Sequence, residues 1–425
     1  MKKLFLCVGI VAMLFLCITP SQARVKIKIY YPVQVAGPLT RVIDGLVKTF
    51  NESQQDVTAT AVYAGNYNQT MQKAQTAFMT GNPADIAILR TTSVLMLMDM
   101  GAIVPLDEFL QGPEGRAYLN DFYPAFIDSV RKKDKIWGIP YQISTPLFYY
   151  NKAMFKEAGL DPETPPATWD EVIAYAKKLT LKDASGNVKR YGLGFPDSNQ
   201  WMLQSWTLTN GGNLASDDGT TVFFNSREVI ESVETWVTLV NELQVSIRHR
   251  MYGKLASDFI AGQVAMMYNS TGSLSFVRKS ANFDFGAAFL PRKKRNAVPL
   301  GGAHMFIFNK TSPERRKAAW QFIKWMSSPE NAARWSIASG YIATRKSSLE
   351  VPEMKEYTSK FPEALVALRQ LQFSYPWWTV YEWGKVTKAL QTQLADAVDG
   401  RRKPSEAMAR AQEQADKILA PYRNR

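Results

Sequence analysis

The chain has 425 residues, 46% hydrophobic and 21% charged, which is enough apolar material for two packed domains and excludes a disordered chain. The formal charge is +13. The dense basic runs (Arg131-Lys132-Lys133, Arg292 to Arg295 and Arg401-Arg402-Lys403) carry no interleaved aromatics, so they are read as solvated loops and nucleic acid is excluded as a partner.

The first 23 residues read as a secretory signal. Lys2 and Lys3 open it, Leu4 to Ile18 is its apolar core, and Ser21-Gln22-Ala23 offers small residues for cleavage near Ala23. Phe15 and Leu16 before Cys17 are too bulky for a lipid-attachment pattern. No later apolar stretch reaches the ~20 residues a membrane span needs. Both cysteines, Cys7 and Cys17, leave with the signal, so the mature chain holds no disulfide and no cysteine-bound metal.

Val25 to Tyr31 reads as a strand ended by Pro32. Leu39, Val42, Ile43, Leu46, Val47 and Phe50 recur at helical spacing, predicting a helix over 39–51. A strand over 57–63, a helix over 67–80 and an apolar strand at Asp85 to Leu89 follow. That alternation predicts an α/β unit on a parallel sheet, with ligand beyond the carboxyl ends of the strands, near Gly65-Asn66-Tyr67 and Arg90-Thr91-Thr92-Ser93.

The segment from Pro140 to Ala153 places Ser144 and Thr145 directly before a strand-like run, Leu147 to Tyr150. It reads either as a passage between two domains that contributes to a cleft, or as an ordinary loop before a strand. Thr168 with Glu171 forms a capping box for the next helix. Strands are expected at 191–195, 264–268 and 305–308, and a helix over 226–243. Ser312-Pro313 and Ser328-Pro329 are helix starts. A polar, basic helix over 404–420 reads as a surface element.

Several stretches together resemble the extracytoplasmic solute-binding proteins of ABC importers, in the class that takes glycerol phosphate, maltose and other oligosaccharides. They are Y-A-G-N-Y (63–67), S-T-P-L-F-Y-Y-N-K-A-M-F-K-E-A-G-L-D-P-E-T-P-P-A-T-W (144–169), S-T-G-S-L (270–274), G-G-A (301–303) and S-P-E-N-A-A-R-W-S-I-A-S-G-Y (328–341). The resemblance implies a two-lobed α/β fold of the type II periplasmic-binding-protein kind. Lobe one would be 24–143 plus 303–338 and lobe two 144–302 plus 339–425, with hinge crossings near 144, 302 and 341. It further implies a monomer in the periplasm that captures a small polar solute (a sugar, a polyol, or a glycerol phosphate or phosphodiester) for an ABC permease, with no enzymatic activity, cofactor or metal.

Carried over by position, the cleft residues are Tyr67, Ser144, Ser270, Gly302 and Tyr341, with Trp201 as a flat cover for the carbon side of the ligand. The alternative for Trp201 is a core aromatic. The family has an acid where this chain has Thr91, and a phosphate-pairing arginine where it has Thr387; Arg90 and Lys385 stand close enough to substitute. Loss of both charged contacts shifts the expected ligand toward a neutral sugar, a polyol or a phosphodiester. The cluster Tyr375, Trp377, Trp378, Tyr381 and Trp383 is either a stacking surface, suited to sugars or a quaternary ammonium group, or core packing. His304, next but one to Gly302, is a further ligand candidate, and His249 reads as solvated. The competing functions are a secreted enzyme acting on sugars or phosphoesters and a surface interaction protein.

Overall fold

The computed structural model describes residues 23–35, 37–248 and 251–423. The predicted signal, apart from Ala23, and His249 lie outside these residues.

In chain order, β1 (Val25–Tyr31), α1 (Leu39–Ser53), β2 (Val57–Tyr63), α2 (Tyr67–Met79) and β3 (Ile86–Arg90) form the opening α/β unit. β4 (Ile139–Ser144) and β5 (Pro146–Asn151) are separated by Thr145 alone. Next come α3 (Trp169–Leu179), β6 (Val188–Gly194), α4 (Gln200–Thr209), α5 (Arg227–Val237), β7 (Ser246–Ile247), β8 (Val264–Ser270) and β9 (Phe285–Ala288). β10 (Gly301–Ile307), α6 (Pro313–Met326), α7 (Pro329–Ser339), α8 (Trp383–Val398) and α9 (Pro404–Leu419) complete the elements that position the site.

Two main sheets result, one of five strands and one of six, the sixth (Leu181–Lys182) pairing with β6 off the main path. The first runs β2-β1-β3-β10-β4. Its β1 pairs in parallel with β2 and β3, as the alternating elements predict, and β10 then runs antiparallel to both β3 and β4. The second runs β7-β6-β8-β5-β9, parallel from β7 to β8 and antiparallel on either side of β5. β4 and β5 therefore belong to different sheets, and every residue of both is buried. Burial on both faces explains the apolar run of β5, in place of the polar–apolar alternation of a half-exposed strand.

Local signals account for the helix ends. The Thr168 hydroxyl accepts from the Glu171 N–H at 3.2 Å while the Glu171 carboxylate accepts from the Thr168 N–H at 3.0 Å. Ser312 and Ser328 both cap helices with proline in the first turn. The helix expected over 226–243 holds α-helical geometry only to Val237, then widens into a π-type turn over Thr238–Glu242.

One reading needs correction. The helix α9 is not a surface element on all sides. Ala407, Ala411 and Ala415 recur every fourth residue and, with Met408 and Leu419, are buried against α8 and α5. Small residues at that spacing let helices approach closely while contributing little hydrophobicity to a sequence pattern, so charge masked the stripe. The run Arg292 to Arg295 is a loop exposed at Arg292, Lys293 and Lys294, as read from the sequence, with Arg295 half-buried. Lys293 pairs with Glu231 at 3.0 Å and Lys294 with Glu228 at 3.5 Å, both acids of α5. Arg295 donates to the Leu208 and Gly212 carbonyls and covers the Tyr375 ring at 4.8 Å.

Candidate functional site: a cavity between the two sheets

A cavity of about 400 Å³ lies where the two sheets face each other. The first sheet's side is built from strand ends, as expected where parallel strands stop. Tyr67 opens α2 just after β2, and Arg90 is the last residue of β3. Asn66 caps α2 by accepting from the Asn68 and Gln69 N–H groups, which fixes where Tyr67 emerges. The Tyr67 hydroxyl donates to Gln142 Oε1 at 3.1 Å.

Arg90 is the centre of this wall. Its Nη1 donates to Asn68 Oδ1 at 2.6 Å. Its guanidinium carbon lies 5.0 Å from the centroid of the Tyr67 ring and 6.0 Å from that of Trp377, so the cation sits over two aromatic faces. The buried Nε has no hydrogen-bond partner among the described residues. Burial lowers its pKa from the ordinary arginine value, and the Tyr67 phenol opposes that shift. A guanidinium keeps its proton in proteins, so Arg90 remains a cation. Among the described residues no aspartate or glutamate lines the cavity.

The second sheet's side carries the aromatic cover. Asn199 caps α4, accepting from the Trp201 and Met202 N–H groups at 3.0 and 3.1 Å and from the Tyr252 hydroxyl at 2.8 Å. The Trp201 indole N–H donates to the Leu300 carbonyl at 2.8 Å, and its ring lies 5.5 Å from Trp377. Gly301 leaves room for that ring: a β-carbon there would run into the indole. Ser270 ends β8, and its hydroxyl accepts from the Gly272 N–H at 3.1 Å.

The floor is where the chain passes between sheets. Ser144 pairs with Gly301 across β4 and β10, and Ile342 donates its N–H to the Ile143 carbonyl. Gly302 lines the cavity with a φ of 104°, and a β-carbon on it would overlap the Gln142 carbonyl. Tyr341 follows Gly340, which ends α7 in the left-handed conformation. Its ring stacks on Trp335, and burial pushes its phenol up to about 12, partly offset by Tyr67 and Arg90.

Of the residues singled out in the sequence, Tyr67, Arg90, Ser144, Trp201, Ser270, Gly302, Tyr341 and Thr387 line this one cavity. Thr387 does so with its hydroxyl proton committed to the Trp383 carbonyl at 2.7 Å, so it cannot stand in for a phosphate-binding arginine. Three residues lie elsewhere. Lys385 is directed to solvent and pairs with Glu382 at 2.8 Å; Trp383, Gly384, Thr387, Lys388 and Gln391 share the cavity face of α8, and position 385 is off it. Thr91 and His304 bond each other beneath the cavity, with Oγ1 3.0 Å from Nδ1. His304 stands two residues further along β10 than Gly302, roughly 7 Å deeper into the sheet, where Ser129 and the Phe126 carbonyl enclose it.

The aromatic cluster divides: Trp377 and Trp383 line the cavity, Trp378 packs on Phe224 and Trp383, and Tyr381 stacks on Tyr422. Gln34, Asn68, Gln200, Tyr252, Lys388 and Gln391 also line the cavity and were missed. Only the face-sharing of Lys388 and Gln391 with Thr387 offered a signal for any of them.

His304 gives a pH prediction. Burial holds its pKa near 4, below the ordinary 6.5, with the Phe126 carbonyl opposing. Below pH 6.5 the unfolded chain takes up a proton that the folded chain refuses until about pH 4. Stability is therefore lost as pH falls through that window, by about 3 kcal/mol in all. Denaturant melts at pH 7 and pH 4.5 should show a shallower loss for His304→Gln than for the wild type; equal losses would contradict this.

The comparisons with known proteins converge on one family. The model of the bacterial extracellular solute-binding proteins matches residues 45–362. The sn-glycerol-3-phosphate-binding periplasmic protein UgpB of Salmonella paratyphi A is 28% identical over 411 residues, covering 91% of each chain. The protein of that name from Escherichia coli K12 is 28% identical over 424 residues, covering 95% of this chain and 94% of its own. Among solved structures, UgpB of Mycobacterium tuberculosis in complex with glycerophosphocholine superimposes with a TM-score of 0.82 at 24% identity, over 94% of this chain and 99% of that one. The maltose/maltodextrin-binding domain MalE of Bdellovibrio bacteriovorus, bound to maltotriose, gives 0.80 at 20% identity, over 93% and 100%. These structural likenesses establish the type II periplasmic-binding-protein fold. With three quarters of its length matched by the family model, the chain belongs to the bacterial extracellular solute-binding proteins, the solute-capturing components of ABC importers.

Proposed function

We propose that the cavity captures a phosphorylated polyol of the glycerol-phosphate kind and hands it, unaltered, to an ABC permease in the inner membrane. One observation carries the reading: a cation, Arg90, faces a cavity that no carboxylate lines among the described residues. An anion supplies the missing charge, and a guanidinium hydrogen-bonds phosphate oxygens with good geometry. The relatives that bind sn-glycerol 3-phosphate support the same chemistry. In this reading Arg90, at the end of β3 and one of the two substitutes the sequence offered, takes the role of the family arginine whose place on α8 is held by Thr387.

In this reading 24–143 plus 303–338 and 144–302 plus 339–425 move as two lobes about the crossings near 144, 302 and 341, and closure removes the solute from water. The protein works as a periplasmic monomer after loss of its signal near Ala23. Capture needs no bond-making, since the importer's ATPase supplies the energy.

The indole walls at Trp201 and Trp377 favour a second reading, a neutral sugar held by stacking. A thermal-shift titration separates the two. A phosphorylated solute at 100 times its Kd adds about 2.7 kcal/mol of stability. Glycerol 3-phosphate should raise Tm with concentration while maltose leaves it unchanged; a rise with maltose alone would overturn the proposal.

A further inference from the structure

We infer that the solute's phosphate carries a second, uncharged polyol arm, and that the site rejects a phosphodiester whose arm ends in a quaternary ammonium group. This rests on the phosphate reading above.

The first reason is electrostatic. Among the described residues two cations, the half-buried Arg90 and the exposed Lys388, line the cavity, and no acid does. A phosphodiester brings one negative charge. A polyol ester keeps it as net charge, whereas a choline ester cancels it with a cation that finds only like charge within a small volume.

The second reason is that two of the cavity's aromatic faces, those of Tyr67 and Trp377, are already taken. A quaternary ammonium group is recognised by ring faces within about 6 Å. Arg90 itself covers Tyr67 at 5.0 Å and Trp377 at 6.0 Å. Tyr341 stacks on Trp335 at 5.8 Å, and Trp383 packs against Trp378 at 4.5 Å. The cation that Tyr67 and Trp377 can hold is thus supplied by the protein itself.

The third reason is the room and chemistry left over. The cavity, about 400 Å³, falls in the size range that holds ligands larger than a glycerol monophosphate. Away from Arg90 it is lined by amides on α4 and α8, with Gln391 Nε2 donating to Gln200 Oε1 at 2.9 Å, and by Asn199. Amides offer donors and acceptors together, which suits hydroxyl groups.

Calorimetric titration of the full mature chain tests this with four probes: glycerol 3-phosphate, the diester of glycerol phosphate with a second glycerol, glycerophosphocholine, and its isostere with an uncharged 3,3-dimethylbutyl arm. The glycerol diester should bind at least as tightly as the monoester, and the choline ester at least 100-fold more weakly than the glycerol diester. The dimethylbutyl ester, equal in shape to the choline ester, should bind more tightly than it does. Arg90→Gln should cut the discrimination below 10-fold, and Arg90→Lys, which keeps the charge, should preserve it. Choline and glycerol diesters of equal affinity, or a monoester that binds where no diester does, would overturn this inference and leave the phosphate reading standing. If no phosphate-bearing probe bound, the phosphate reading itself would fall.

Discussion

Gly302→Ala is expected to cost the fold about 4 kcal/mol, placing it among the most damaging single-methyl additions available to this chain. Two effects combine. A φ of 104° is a conformation that L side chains rarely adopt, and the added β-carbon would overlap the Gln142 carbonyl on the neighbouring strand. The obstacle is backbone, so no rotamer change relieves it. β4 and β10 would have to part where Ser144 and Gly301 pair, which is the floor of the cavity. Denaturant unfolding of the wild type, Gly302→Ala and Gly384→Ala provides the check. Gly384 also lines the cavity, but its added methyl meets nothing within 4 Å, so that variant should stay within about 1 kcal/mol of the wild type. Equal stability of the two variants would show that the left-handed turn is not a constraint.

Trp201→Ala is expected to lower solute affinity by about 30- to 1,000-fold, the range of a buried aromatic hot spot. The ring is only 5% exposed, stands between Tyr252 and Trp377, and is anchored by its N–H to Leu300. Its removal also leaves a hole that should cost about 3 kcal/mol of stability. Calorimetry below the melting transition separates the two losses. Trp201→Phe keeps a flat face but loses the Leu300 hydrogen bond, and it should recover about 10-fold of the affinity. Unchanged binding by the alanine variant would show that the ring serves packing alone.

Much of the first sheet was legible from residues alone, because each element there carries a strong local signal. β1 and β2 occur with the predicted bounds. The helix starts at Thr168, Ser312 and Ser328 have their cap hydrogen bonds. The meaning of Pro140 to Ala153 was only half legible. The strand after Pro146 follows from its aromatic run, but β4 before it contains a proline and a glutamine and gives no strand pattern. Its extended form comes from pairing with β10, whose sequence distance hides the partnership.

The site shows the same division. Residues at strand ends and helix starts, such as Tyr67 and Ser270, are placed by rules that act over a few positions. Whether a neighbouring side chain reaches a cavity depends on depth and helical phase. Arg90 faces the cavity while Thr91, one residue on, turns beneath it to His304. Thr387 lies on the inner face of α8 while Lys385 lies outside it. Polar lining residues such as Gln34 and Gln200 have no spacing that distinguishes them from surface residues.

The burial of α9 against α5 bears on how the chain matures at the ribosome. The packing around the second sheet joins segments that leave the exit tunnel more than 150 residues apart, with α5 ending at Val237 and α9 beginning at Pro404. During synthesis that half of the molecule waits for its final partner, and until then its apolar surface stays available to a chaperone.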